Sequence, residues 1–164
     1  MLDSLKRMAS VFAVLCLLSS CAAVPMNQLD TSFLKEEPYR KQKQKVDLSS
    51  IQTVQDLAVV KAAINPIMRF IGGTFFIKLP AVVEKDLLTE NGRAVLQRPP
   101  VQNQYNRFSS QQIGPWRICG KDTLSVRVRF SDLLGREFWT QDFLFINDGI
   151  TWRFDDHREA VCER

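Results

Sequence analysis

The densest group of ionisable side chains in the sequence is the run Asp155-Asp156-His157-Arg158-Glu159. An aspartate in contact with a histidine can serve general base catalysis. Neighbouring residues of an extended chain point to opposite faces, however, and the chain contains neither a Gly-x-Ser-x-Gly nucleophile turn nor a cluster of metal ligands. We therefore predict a solvated strand end at this run. We predict no catalytic residue, no metal, no cofactor and no enzymatic activity.

Asp142 is a second candidate, because it lies among Phe143, Leu144 and Phe145. A carboxyl group buried among such residues would have a shifted pKa. The alternative is an aspartate on the polar side of a half-buried strand, facing solvent. We predict this second arrangement.

Aromatic residues are the third group, with three tryptophans and eleven phenylalanines. They could form a ligand pocket or a partner surface, and for most of them we predict a core of packed rings. Phe138 and Trp139 are the exception, because the two-residue period of a strand sends neighbours to opposite faces. One of the two should lie under a covering element or be exposed for a partner. Phe138 and Trp139 are therefore the candidate partner-binding residues.

The amino-terminal residues have the parts of an export signal. Lys6 and Arg7 precede an apolar run at 11–18, which small residues follow. The run has eight residues, and a helix needs roughly twenty to cross a bilayer, so we predict no permanent membrane span here. The sequence Leu18-Ser19-Ser20-Cys21 resembles the lipobox of bacterial lipoproteins.

The resemblance implies that residues 1–20 are a signal peptide and that Cys21 carries diacylglycerol on its sulfur. Acyl chains hold a protein at a membrane because each buried methylene contributes about 0.8 kcal/mol. In enterobacterial lipoproteins an aspartate after the cysteine tends to retain the protein in the inner membrane. Ala22 thus implies the outer membrane, with the protein facing the periplasm. The alternative is a soluble secreted protein cleaved near Ala22 or Ala23.

The four cysteines agree with export. Cys16 would leave with the signal and Cys21 would be lipidated, so that Cys119 and Cys162 remain as one pair. An oxidising periplasm favours a disulfide between them. The alternative is two buried free thiols. A zinc site at these cysteines is disfavoured, because His157 is the only histidine and neither cysteine has a second ligand at close spacing.

Residues 21–46 have little apolar periodicity and end in a basic run, and we predict a lipidated flexible tether. The basic run could touch anionic headgroups, although such runs are commonly solvated linkers. The chain has a net charge of +4. Loss of Lys6, Arg7 and Asp3 leaves the mature chain near +3, with both signs spread throughout. That excess gives nucleic-acid binding little support.

A helix should follow the tether. Ser49 and Ser50 offer caps, apolar residues recur at helical spacing, and Pro66 should end the helix at Asn65. After it, the run Thr74-Phe75-Phe76-Ile77 is the predicted core of a strand.

Residues 81–97 allow two alternatives. Ala81 to Glu90 could be a helix with Gly92 as its left-handed cap. Asn91-Gly92 could instead be the turn of a hairpin, which we favour because β-branched and leucine residues flank it. Residues 99–115 are rich in Gln, Asn, Ser and Pro and are predicted to form a long surface loop.

The last third of the sequence has the clearest pattern. Apolar residues alternate with polar ones from Leu124 to Phe130, which is the period of a half-buried strand. A second strand is predicted from Phe138 to Ile146, a tight turn at 147–149, and a third strand from Ile150 to Phe154. The three strands predict an antiparallel meander.

These elements predict an α+β fold, with an N-terminal helix packed on an antiparallel sheet that ends in the meander, in one periplasmic domain at residues 47–164. The element order is loosely similar to NTF2-like domains found in periplasmic parts of type IV secretion systems. A small β-rich lipoprotein fold is the alternative.

The predicted outer-membrane localisation and the absence of a catalytic motif together predict a lipid-anchored binding or assembly module of an envelope complex. A secretion or conjugation apparatus is an example of such a complex. Its partners would be the membrane, through lipid on Cys21, and an envelope protein. The alternative is a periplasmic inhibitor, immunity or exclusion lipoprotein.

Overall fold

A mixed five-stranded sheet with a long helix packed on one face forms the core of the protein. The computed structural model describes residues 29–35, 44–75, 85–96, 108–132, 134–136 and 138–162. The predicted signal peptide, Cys21 and Ala22 lie outside these residues. The strands are β1 (Lys45–Val46), β2 (Phe108–Cys119), β3 (Thr123–Asp132), β4 (Phe138–Asn147) and β5 (Trp152–Asp156), and the helices are α1 (Val54–Phe75) and α2 (Glu90–Leu96). The predicted α+β fold is confirmed.

The sheet has the strand order β1-β2-β3-β4-β5. Strands β2 to β5 are antiparallel neighbours, and β1 runs parallel to β2. The predicted meander of β3, β4 and β5 is thus confirmed. Strand β2, which precedes β3 in the sequence, pairs with β3 and extends the meander. Ile150, predicted to begin the third strand, lies before β5 and is exposed.

The prediction of a loop at 99–115 was wrong from Phe108 onward, where β2 begins. Residues 99–107 lie outside the described residues. The register of β2 against β3 shifts twice, between Ser110 and Gln112 and between Ile113 and Trp116. Each shift inserts unpaired residues and interrupts the two-residue alternation, so the strand has no regular pattern in the sequence.

Helix α1 continues through Pro66 to Phe75, so the predictions of a helix end at Asn65 and of strand at Thr74-Phe75 were wrong. Residues 76 and 77 lie outside the described residues. An internal proline costs a helix about 3 kcal/mol. Large apolar side chains gain about 1.5–3 kcal/mol each on burial, and Ile67, Phe70 and Ile71 are all buried after the proline. Burial of this face therefore outweighs the lost hydrogen bond.

The N-cap of α1 is Thr53, whose hydroxyl accepts a hydrogen bond of 3.0 Å from the backbone N–H of Asp56. Ser50 was predicted as a cap and has a different role. Its hydroxyl accepts a 2.8 Å hydrogen bond from the backbone N–H of Trp116 and so ties the chain before α1 to β2.

Both alternatives for residues 81–97 were wrong, because a 3₁₀ turn at Lys85–Leu87 leads to α2 at Glu90–Leu96. Residues 81–84 and 97 lie outside the described residues. Asn91-Gly92 falls in the first turn of α2, where Thr89 caps the helix by accepting a 2.9 Å hydrogen bond from the Gly92 N–H. A Cβ on Gly92 would collide with the backbone carbonyl of Phe154. Glycine here permits close packing of α2 on β5.

Parts of the predicted tether pack on the domain. Leu29 and Phe33 are buried in the same hydrophobic cluster as α1 and the sheet, and residues 45 and 46 form β1. The side-chain amine of Lys61 lies 5.8 Å from the centre of the Phe33 ring. Residues 21–28 and 36–43 lie outside the described residues. The packed domain thus includes a segment just after the predicted lipidation site.

Candidate partner-binding face

The alternation of β3 gives the sheet two chemically different faces. Val126, Val128 and Phe130 point to the inner face, where they are fully buried with α1. Arg127 and Arg129 are exposed on the opposite surface, which we call the outer face. The register of β3 with β4 places Asp142 opposite Arg127 and Thr140 opposite Arg129. The outer face therefore presents charged and polar side chains.

The carboxy-terminal segment crosses one end of the outer face. The backbone N–H of Ala160 donates a 2.9 Å hydrogen bond to the buried Ser125 hydroxyl, and Glu159 forms a 3.2 Å ion pair with Arg117. The segment then brings Cys162 to disulfide distance of Cys119, with 5.0 Å between the Cα atoms. This separation lies in the ordinary range for a disulfide, as the predicted pair requires.

The other end of the outer face lies towards the β3–β4 connection and contains Phe138. This side chain is 55% exposed. Trp139 points to the inner side, where its ring centre lies 5.2 Å from that of Phe130. The two predicted residues thus lie on opposite faces, and Phe138 is the one available to a partner.

Arg129 lies directly over Phe138, with 4.1 Å between its guanidinium carbon and the ring centre. A guanidinium at this distance is attracted by the negative face of the ring. The two residues are diagonal neighbours, because Phe138 pairs with Ser131 and Thr140 pairs with Arg129. Together Phe138 and Arg129 form what we call the Phe138 patch.

Next to the Phe138 patch, Arg127 and Asp142 form a bidentate ion pair with two hydrogen bonds of 2.9 Å. The carboxylate of Asp142, by hydrogen bonding and by its charge, holds the pKa of Arg127 above its ordinary value. Asp142 lies on the polar side of its strand, as predicted. A groove of about 260 Å³ lies between this pair and the Arg117–Glu159 pair.

The acids of the 155–159 cluster are used in separate contacts. Asp155 accepts a 2.6 Å hydrogen bond from the Thr89 hydroxyl, and Asp156 pairs with Arg158 at 3.0 Å. Glu159 pairs with Arg117. In the described part of the chain, no group of three or more His, Cys, Asp and Glu side chains could hold a metal ion.

His157 differs from the predicted solvated strand end. Its ring centre lies 5.2 Å from that of Phe143 and 5.0 Å from that of Phe154, and both ring nitrogens are buried without a hydrogen-bond partner among the described residues. Burial lowers the pKa of His157 below its ordinary value, although the nearby carboxylate of Asp156 opposes the shift. The ring is therefore neutral at pH 7 and is part of the packing.

This lowered pKa predicts that acid weakens the domain. The unfolded chain binds a proton on His157 near pH 6.5, and the folded chain binds it only at lower pH. The free energy of unfolding carries no penalty from His157 above about pH 6.5, where the ring is neutral in both states. The free energy of unfolding decreases as the pH falls below that value, by at most about 1.4 kcal/mol per pH unit. Urea unfolding at pH 7.5 and 5.5 should show the loss in the wild type and a smaller one in His157→Phe. Equal losses in the two proteins would rule out His157 as the cause.

No protein-family model, curated protein or solved structure matches this chain. The similarity to NTF2-like domains therefore stays a likeness of element order, and no function is carried over from it. In the described residues, no helix combines the length and apolar character needed to span a membrane.

Proposed function

We propose that this protein is a lipid-anchored binding module in the periplasm, held at the outer membrane through Cys21, and that it joins an envelope complex through the Phe138 patch. The observation that supports binding is the Phe138 patch itself. A half-exposed phenylalanine stacked with an arginine combines two side-chain types that are enriched in protein interfaces. The paired charges around it provide a polar rim.

The anchor is supported by the lipobox-like sequence, and the position of Leu29 limits how far from the membrane the anchored domain would lie. Leu29 is buried in the domain and lies eight residues after Cys21. Eight extended residues span at most about 28 Å. A lipid on Cys21 would therefore hold the domain close to the membrane surface. Its partner would be at that surface or in a complex built on it.

The Phe138 patch is tested by comparing Phe138→Ala with Trp139→Ala. A photoreactive residue in place of the exposed Thr140 would capture the partner in intact envelopes. Phe138→Ala should weaken the complex by about 2 kcal/mol, which is roughly a 30-fold change in Kd. Its free energy of unfolding should change by less than about 0.5 kcal/mol, because the side chain is half-exposed.

Trp139→Ala is the matched control, since it removes the neighbouring ring from the inner side. It should lower the free energy of unfolding by about 2 kcal/mol or more, because it leaves a gap beside Phe130. If both variants unfold equally and no partner is captured by the wild type, the Phe138 patch is not a binding surface.

A further inference from the structure

Among the described residues of the outer face, Arg129 is a charge that forms no ion pair. Arg117 pairs with Glu159 and Arg127 pairs with Asp142. Arg129 is exposed, and its contact in the described structure is the ring of Phe138. The planar guanidinium is therefore positioned over the ring, and no described residue accepts a hydrogen bond from its N–H donors.

Burial of Phe138 and burial of Arg129 are coupled, because 4.1 Å separates the guanidinium from the ring. A partner that covers the ring also removes water from the charge. A buried charge without a counter-charge is strongly unfavourable. Asp142 is the nearest acid in register on β4, and its two oxygens already accept from Arg127. No described residue thus supplies a counter-charge to Arg129, and we expect the partner to supply it.

We infer that the protein partner presents an aspartate or glutamate carboxylate to Arg129, next to an apolar side chain that covers Phe138. This inference rests on the proposed function. A carboxylate matches the fork of N–H donors that a stacked guanidinium presents at its edge. The partner is thus recognised by an acidic residue beside an apolar one.

A protein carboxylate fits this surface better than the phosphates of a lipid bilayer. Membrane surfaces attract clusters of basic residues. On the outer face, Asp142 and Glu159 neutralise Arg127 and Arg117, so the described residues there do not form the basic cluster that a bilayer attracts. The outer face instead carries both basic and acidic residues. A protein partner can place an opposite charge against each of them.

The test uses the whole chain, including Cys21, with the photoreactive residue at position 140 and measures the crosslink in envelopes. Arg129→Glu should lower the yield at least tenfold, and Arg129→Lys should lower it less. Lys121→Glu is the control, since it makes the same charge change on an exposed residue in the β2–β3 turn, at the opposite end of the sheet. Its yield should equal that of the parent protein.

The deciding step is a charge exchange. The crosslinked segment of the partner should contain an aspartate or glutamate whose replacement by arginine restores the yield of the Arg129→Glu protein. A yield that depends on Phe138 but is unchanged by Arg129→Glu would overturn the carboxylate inference and leave the proposed function standing. A crosslink to lipid or to a second copy of the chain would also overturn it. No crosslink in the parent protein would overturn both.

Discussion

Removal of the Cys119–Cys162 bond is expected to lower the free energy of unfolding by about 4 kcal/mol. The cysteines are 43 residues apart in sequence, and a crosslink that closes a loop of this size removes about that much chain entropy from the unfolded state. Domains of ordinary stability unfold with about 5–15 kcal/mol. A bond between these cysteines would therefore contribute a large share of the stability of a domain of this size.

Removal of the bond should also free the carboxy-terminal segment to open locally, because Cys162 lies at the end of that segment. Besides the cysteine pair, the segment is fixed by the Ala160–Ser125 hydrogen bond and the exposed Glu159–Arg117 ion pair. An exposed ion pair contributes at most about 1 kcal/mol. Hydrogen exchange at Ala160 should therefore rise through local opening, whereas exchange at Val126, in the centre of the sheet, should rise only through the lower stability of the whole domain.

The experiment is urea unfolding of the Cys119→Ser/Cys162→Ser double variant, which leaves no unpaired thiol. Dithiothreitol should destabilise the wild type by a similar amount and have no effect on the double variant. Before unfolding, alkylation of the wild type without reductant should modify neither cysteine. Free thiols at both positions would show that the cysteines are not joined, and a double variant as stable as the wild type would contradict the predicted stabilisation.

The part of the fold that the sequence predicted best is the meander, and the reason is local. Residues 124–130 alternate without interruption, because one face of β3 meets α1 and the other meets solvent. Strand β2 lacks this alternation because its register against β3 shifts twice. Gly114, within the second shift, has a φ of 117°. A Cβ at Gly114 would collide with the backbone carbonyl of Asp47, so this irregular strand depends on a packing contact distant in sequence.

Pro66 and Gly92 misled the prediction because tertiary packing outweighed local preference. Each residue ordinarily marks the end of an element. In α1 the apolar face continues beyond the proline, and in α2 the glycine permits close approach to Phe154. Which residues pack against which cannot be read from local spacing.

The candidate face could be predicted only in part. Strand period limited the exposed aromatic to Phe138 or Trp139, and the direction of each became known once β4 was placed beside β3. The stacking of Arg129 on Phe138 was missed, because it depends on the register that puts Phe138 opposite Ser131. The burial of His157 was missed for a similar reason, since its ring meets Phe143 from another strand.

The largest expected effect of any single substitution is at Cys21. Its thiol is the proposed point of lipid attachment, and a serine hydroxyl cannot form the thioether. Because each buried methylene contributes about 0.8 kcal/mol, loss of the acyl chains would remove nearly all membrane affinity. Cys21→Ser should also prevent cleavage of residues 1–20. Cys16→Ser is the matched control, because Cys16 lies within the predicted signal and should be dispensable.

Labelling of cells with a clickable fatty acid, followed by gel analysis of this protein, measures lipid attachment and cleavage together. The wild type and Cys16→Ser should be labelled and migrate as mature protein, and Cys21→Ser should be unlabelled and migrate as the longer precursor. Normal processing of Cys21→Ser, with no label on the wild type, would show an ordinary secreted protein and contradict the lipid anchor.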